Sequence, residues 1–201
     1  MTVVWSVLIA YLLGSIPTGF LLVKWRRRVD IRTLGSGNIG ATNVLREAGS
    51  WAGIAVLLVD AAKAYLAVWL AGLISQQSTV WMSTAAVTVM AGNAFPVFLG
   101  FRGGKAMATF VGAFVGIDPL PVAAALVVFV TTVAVTRYVS AGSMVAAASF
   151  PLAAWLIAHP PPEVISASVA AAALIIWRHK DNIRRLHAGA EDALSFGGKR
   201  G

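Results

Sequence analysis

The chain has 201 residues, 58% of them hydrophobic and 12% charged, with a mean hydropathy of +0.79 and a formal net charge of +8. That composition excludes a soluble domain and defines a polytopic membrane protein. The lack of cysteine excludes disulfides and thiolate metal sites, three histidines and eight acids leave little for a metal cluster, and cations lying between apolar runs exclude nucleic acid as a partner.

A helix needs about 20 apolar residues to cross a bilayer, and the first run, 3–23, meets that length. No Lys or Arg precedes it, and no small-residue cleavage pattern precedes its basic flank, so it is expected to be a retained helix. Beyond the flank lies "LGSGNIGATNVLREAG" (34–49). Its glycines loosen the backbone, while Ser36, Asn38, Thr42, Asn43 and Arg46 supply donors. Such a turn running into a helix over "ATNVLRE" can form an anion-binding nest; the alternative is an ordinary capped loop. The next span is 51–73, where Asp60 and Lys63 lie three apart and are expected to pair inside the bundle.

A third span, 79–99, leads into Arg102, Gly103, Gly104 and Lys105. Lys105 is placed at the start of a short helix, 105–116, which "GIDPLP" terminates and which must be buried in protein or reach a thinned interface. A helix end and a lysine against acyl chains make an anion site; the alternative is a snorkelling cation pair. After a span over 120–138, "TRYVSAGS" (136–143) forms a small loop whose Ser140, Gly142 and Ser143 add donors or merely cap a turn. Two shorter runs, 143–158 and 163–178, flank the breaker "HPPPE". In "WRHKDNIRRLHAGAE" (177–191), His179 and Asn182 share a helix face, and the arginines bind substrate or lipid headgroups.

Loop charge orders these segments, because Lys and Arg collect on the cytoplasmic side. Seven crossings with the N-terminus outside put Lys24, Arg26, Arg27, Arg28, Arg32, Arg46, Arg102, Lys105, Arg137, Arg178, Lys180, Arg184, Arg185, Lys199 and Arg200 inside, and leave loops near 74–78, 117–121 and 159–162 without cations. The expected fold is therefore an all-α membrane protein: one integral-membrane domain over 1–201, seven transmembrane helices including one short helix, and a cytoplasmic C-terminus. The expected ligands are anionic, at least one carrying an acyl tail. No serine or cysteine nucleophile with an evident base is present, which disfavours an acyl-enzyme.

The motifs "YLLGSIPTGFLLVKW" (11–25), "GSGNIGATNVLR" (35–46), "DAAKA" (60–64), "FPVFLGFRGGKAMAT" (95–109), "RYVSAGS" (137–143), "RHKDNIRRL" (178–186) and "GAE" (189–191) span nearly the whole chain. In these the sequence resembles the bacterial acyl-phosphate:glycerol-3-phosphate acyltransferase family. The resemblance implies a multi-pass protein of the bacterial inner membrane with its active site at the cytoplasmic face. It implies acyl transfer from acyl phosphate to the 1-hydroxyl of sn-glycerol 3-phosphate, giving lysophosphatidic acid and phosphate in phospholipid biosynthesis. Membrane lipids surround such an enzyme, another enzyme supplies its acyl phosphate, and no metal or cofactor is needed.

By the same resemblance Ser36, Lys105 and His179 are catalytic, with Ser36 and Arg46 essential. Arg46, Lys105, His179 and Asn182 bind glycerol 3-phosphate. Asn38, Thr42, Arg102, Gly103, Gly104 and Ser143 hold the acyl phosphate, and Asn93 and Glu191 are structural. Two positions depart from the family pattern: Asn93 replaces its usual histidine and so is no base near neutral pH, and Ala106 replaces a glycine after Lys105. The base is His179 or a substrate phosphate oxygen. An anionic-solute transporter and a lipid-binding scaffold are the alternatives from other classes.

Overall fold

The computed structural model describes residues 2–194, and Lys199 and Arg200 lie outside them. Among the described residues the chain forms α-helices, two short 3-10 turns and no strand. The helix expected over 3–23 is broken, α1 (Thr2–Ser15) and α2 (Thr18–Arg27) meeting at Ile16–Pro17. Proline has no N–H and disfavours helical geometry in the residue before it.

That break leaves the Ile16 carbonyl within an apolar region. Lys63 of α4 (Ser50–Ile74) donates to it at 2.7 Å, Asp60 pairs with Lys63 at 2.7 Å, and the Thr18 hydroxyl donates to Asp60 at 2.8 Å. The buried pair in the second span thus satisfies the backbone opened by the first. Between them α3 (Ala41–Ala48) occupies the stretch expected to be helical after the glycine turn.

α5 (Thr79–Ala94) stops five residues short of the expected 99, because Pro96 ends it and a 3-10 turn, Val97–Leu99, follows. The short helix α6 (Met107–Val115) begins after Lys105, since Ala106 adopts a left-handed φ of 59°. At 1.5 Å per residue its nine residues are about 14 Å long. It is buried in protein, packed by α4, α5 and α7 (Pro119–Thr136). α8 (Val139–Ala158) starts earlier than expected, so Ser140 and Ser143 lie on its first turns, not in a loop. α9 (Pro162–Arg178) and α10 (Lys180–His187) follow, with His179 between them.

Among the described residues five segments are long and apolar enough to cross a membrane: Val4–Arg27 across the α1–α2 break, Ser50–Ile74, Thr79–Leu99, Pro119–Thr136 and Val139–Ala158. The helices pack as α1 on α5, α4 on α6, α7 on α8 and α8 on α9. Small residues set the close contacts: a Cβ on Gly14 of α1 would sit 2.1 Å from the Val89 carbonyl oxygen, and one on Gly92 would sit 2.3 Å from that of Tyr11. Around α6 the core is aromatic, with Phe150 edge-on to Phe110 and Phe114 at 4.8 and 4.7 Å.

Candidate active site

Segments 30–38, 101–105 and 177–185 meet around two cavities. Against the first segment, buried Asn43 accepts from the Ser36 N–H at 3.0 Å and donates to the carbonyls of Leu34 and Asn38 at 3.1 and 2.9 Å. Gly37 N–H goes to the Leu34 carbonyl and Gly40 N–H to the Asn38 side chain. Three amides of the expected nest, those of Ser36, Gly37 and Gly40, are therefore engaged within the protein. Asn43 braces the turn through its bonds to residues 34, 36 and 38, a role that its spacing from the glycines did not reveal.

Gly103 must be glycine, because a Cβ there would lie 2.2 Å from the Asn93 carbonyl oxygen and 2.3 Å from Pro96 Cδ. The Gly104 N–H donates to that Asn93 carbonyl at 2.9 Å, so it too is engaged within the protein. Arg178 fixes the loop from the other side, donating through Nε to the Gly104 carbonyl at 2.9 Å and through an Nη to the Gly103 carbonyl at 2.8 Å. Sequence reasoning offered Arg178 only to substrate or lipid; its hold on the glycine loop comes from the end of α9 meeting the end of α5.

Lys105 leaves this loop and donates to the Asn182 side-chain oxygen at 2.5 Å. Asn182 donates in turn to Glu191 at 2.5 Å, and Glu191 also accepts from the Ser140 hydroxyl at 2.7 Å and from Arg185 Nε at 2.8 Å. Burial lowers the Lys105 pKa to about 8; the Arg185, Arg178 and Arg46 charges add to that, and Glu191 opposes it. Burial would raise the Glu191 carboxyl, but the hydrogen bonds from Ser140, Asn182 and Arg185 and the Arg185 charge outweigh it and hold the group below its usual range.

His179 is 3% exposed and its Nδ1 donates to the Ile175 carbonyl at 2.7 Å, which leaves the other ring nitrogen as the acceptor. Burial, together with the Lys105 and Arg178 charges, lowers its pKa to about 4 against the opposing pull of the Ile175 bond and Glu191. The ring is neutral at pH 7.

A cavity of about 210 Å³ is bounded by Ser36, Asn38, Gly103, Lys105, Asn182 and Arg185, among others. A neighbouring one of about 500 Å³ shares Gly37, Gly103 and Arg178 with it and adds Arg32, Phe101 and Arg102. His179, between α9 and α10, lines neither cavity, although its neighbours Arg178 and Lys180 line the smaller one. Arg46 is turned to the segment after α10, donating to the Asp192 carboxylate at 2.9 Å and to the Asp192 backbone carbonyl at 3.1 Å. Thr42 and Ser143 line neither cavity, and the Ser143 hydroxyl donates to the Val139 carbonyl within α8. Asn93 is buried beneath the glycine loop, and Glu191 is one bond behind Lys105's partner. Among the described residues no three His, Asp or Glu side chains come together as a metal site.

Fold and site together define an all-helical integral membrane protein with a cation-lined cavity where those three segments meet. Residues 4–189 match the family model described as glycerol-3-phosphate acyltransferase. The chain belongs to that family. It is 47% identical over 185 residues to the glycerol-3-phosphate acyltransferase of Geotalea daltonii, covering 92% of this chain and 94% of that protein. To the protein of the same name from Geobacter sulfurreducens it is 43% identical over 184 residues, 92% and 93% of the two chains. Among solved structures it is similar to PlsY (YgiH), an integral membrane glycerol 3-phosphate acyltransferase, in its glycerol 3-phosphate form, with a TM-score of 0.92 at 33% identity over 97% of this chain and 96% of that one. The lysophosphatidic acid form of PlsY gives a TM-score of 0.89 at 31% identity, with the same coverage.

Proposed function

We propose that the chain transfers a fatty acyl group from acyl phosphate to the 1-hydroxyl of sn-glycerol 3-phosphate, releasing lysophosphatidic acid and phosphate. The observation that carries this reading is Lys105, half-sequestered in a small cavity beside Ser36, Asn182, Arg178 and Arg185, where a phosphate dianion meets several donors. The relatives' names, and the two ligand forms of the similar structure, support glycerol 3-phosphate as acceptor and lysophosphatidic acid as product. Seven crossings, an outside N-terminus and a cytoplasmic site at the inner membrane fit the loop charges. They count α9 and α6 with the five longer segments.

In the reaction the 1-hydroxyl oxygen attacks the acyl carbonyl carbon, the bond from that carbon to the phosphate oxygen breaks, and inorganic phosphate leaves. No covalent intermediate is needed, because acyl phosphate already carries a good leaving group. Lys105 stabilises the charge on the departing phosphate, while Asn182, Arg46 and Ser36 orient glycerol 3-phosphate. Arg102, Arg178 and the 103–104 loop wall the acyl-phosphate side, with Asn38, Thr42 and Ser143 as outer contributors. We assign the hydroxyl proton to a substrate phosphate oxygen. A ring whose pKa is about 4 is a poor base, whereas phosphate esters have a second pKa of about 6. His179 then positions the acceptor.

The test follows phosphate release from palmitoyl phosphate by purified protein in lipid. Release that needs glycerol 3-phosphate, yields lysophosphatidic acid and disappears in Lys105→Ala supports the reading. No release from folded protein overturns it and directs attention to transport of an anionic solute. His179→Gln that raises KM for glycerol 3-phosphate but retains turnover fits positioning; full loss of turnover at unchanged affinity makes His179 the base.

A further inference from the structure

The reaction proposed above sets a geometric problem that the polar chemistry does not solve. The acyl carbonyl must lie beside Lys105, yet the rest of the acyl chain is hydrocarbon and has to leave a cavity walled by cations, amides and a serine. Among the described residues Trp177 is the one large apolar side chain on that wall. It is also 51% exposed, so the same side chain faces both the cavity and the surroundings of the bundle.

Its ring is held from several sides. Phe95, at the end of α5, lies 5.6 Å away, centroid to centroid. The Arg178 guanidinium is 5.8 Å and the Lys180 ammonium 5.4 Å from the Trp177 ring. Val97 and Phe98, two and three residues beyond Phe95, are 42% and 61% exposed and prolong the apolar surface. The next residue after Trp177 is Arg178, which grips both glycine-loop carbonyls. Loop, cation and aromatic wall are thus a single unit at the end of α9.

We propose that Trp177 is the point at which the acyl chain passes from the polar cavity to the bilayer, lying along the Trp177–Phe95 surface, and that it positions long-chain donors. Arg178 and Lys180 flank the ring, and the Trp177–Phe95 surface gives the chain an apolar contact along the length that leaves the cavity, where the other walls are polar. The inference rests on acyl phosphate being the donor.

The experiment compares palmitoyl and octanoyl phosphate as donors to purified wild type, Trp177→Ala, Trp177→Phe and Phe101→Ala in lipid nanodiscs. Phe101 lines the neighbouring cavity and represents the rival exit. For Trp177→Ala the KM for palmitoyl phosphate rises about tenfold, the loss expected from removing an apolar contact of this size. The KM for octanoyl phosphate rises by less than about threefold, the shorter chain having less to lay against the ring. Trp177→Phe recovers most of the difference, and the KM for glycerol 3-phosphate does not follow donor length. Equal increases for both donors, an effect confined to glycerol 3-phosphate, or a chain-length effect that follows Phe101 instead each overturn the assignment. A wild type that turns over neither donor refutes the acyltransfer reading itself.

Discussion

Burial lowers the pKa of Lys105 to about 8, so the group expected to bind phosphate loses its charge within an accessible pH range. The expected kcat/KM for glycerol 3-phosphate is flat between about pH 6 and 8 and falls about tenfold for each further pH unit above that, following the protonated fraction of the free enzyme. The acid limb belongs to the substrate's second phosphate ionisation at about 6. Neutral His179, with a pKa of about 4, titrates below it. Lys105→Arg keeps its charge beyond pH 10 and removes the alkaline limb, whatever happens to the plateau. The same shift acts on stability. A folded pKa below the usual 10.5 means that the unfolded chain binds more protons between about pH 8 and 10.5, so stability rises with pH across that window. The gap corresponds to on the order of 3 kcal/mol, which substrate dianion binding partly relieves. Initial rates at subsaturating glycerol 3-phosphate, corrected for spontaneous hydrolysis, check the activity limb, and thermal unfolding checks the other. A wild-type profile flat to pH 10, or a limb at pH 8 that survives in Lys105→Arg, refutes the reasoning.

Asp60→Asn leaves the Lys63 charge buried without its carboxylate and costs about 3–5 kcal/mol, read as a drop in thermal midpoint, whereas Asp60→Leu with Lys63→Met recovers much of it. Glu191→Gln removes the charge that holds Arg185 and one acceptor shared by Asn182 and Ser140, so KM for glycerol 3-phosphate rises at least about tenfold, with Ser140→Ala a milder copy. Gly103→Ala is far more damaging than Gly104→Ala in yield and activity, because its added methyl meets rigid backbone and Pro96 ring at 2.2–2.3 Å, while that of Gly104 meets the movable Asn93 side chain at 2.9 Å. The chain has no cysteine, so Gln76→Cys and Arg28→Cys are clean topology reporters. An impermeant maleimide labels the first from outside intact cells and the second only after lysis; the reverse pattern inverts the proposed orientation.

What the sequence disclosed was governed by length and spacing. Long apolar runs and loop cations gave the helices their order, and the i, i+3 spacing of Asp60 and Lys63 announced a pair. Hydropathy alone could not show that Pro17 breaks the first run, because the flanking residues remain apolar. The purpose of the Asp60–Lys63 pair was hidden for the same reason: its partner is the Ile16 backbone, and a carbonyl left over at a kink has no signature in side-chain pattern. The glycine turn was legible as a turn, but not the three side-chain bonds by which Asn43 braces it. In the candidate site, Lys105 and Asn182 stood out as polar residues at apolar boundaries. Arg178's grip on the glycine carbonyls and Arg46's contact with Asp192 depend on segments 74 to 146 residues apart, and only packing brings those together.

The segment after α10 ties distant parts of the bundle: Glu191 reaches α8 and α10, Asp192 reaches α3, and Leu194 exchanges backbone and side-chain hydrogen bonds with Arg137. All of these partners except those on α10 are translated well before it. Arg46 and Ser140 are thus made long before their partners Asp192 and Glu191. These few late residues therefore tie α3, α8 and α10 together only once the helices before them have been made. A chain ending before residue 191 would keep the helices but leave Arg46, Ser140, Asn182 and Arg185 without these partners.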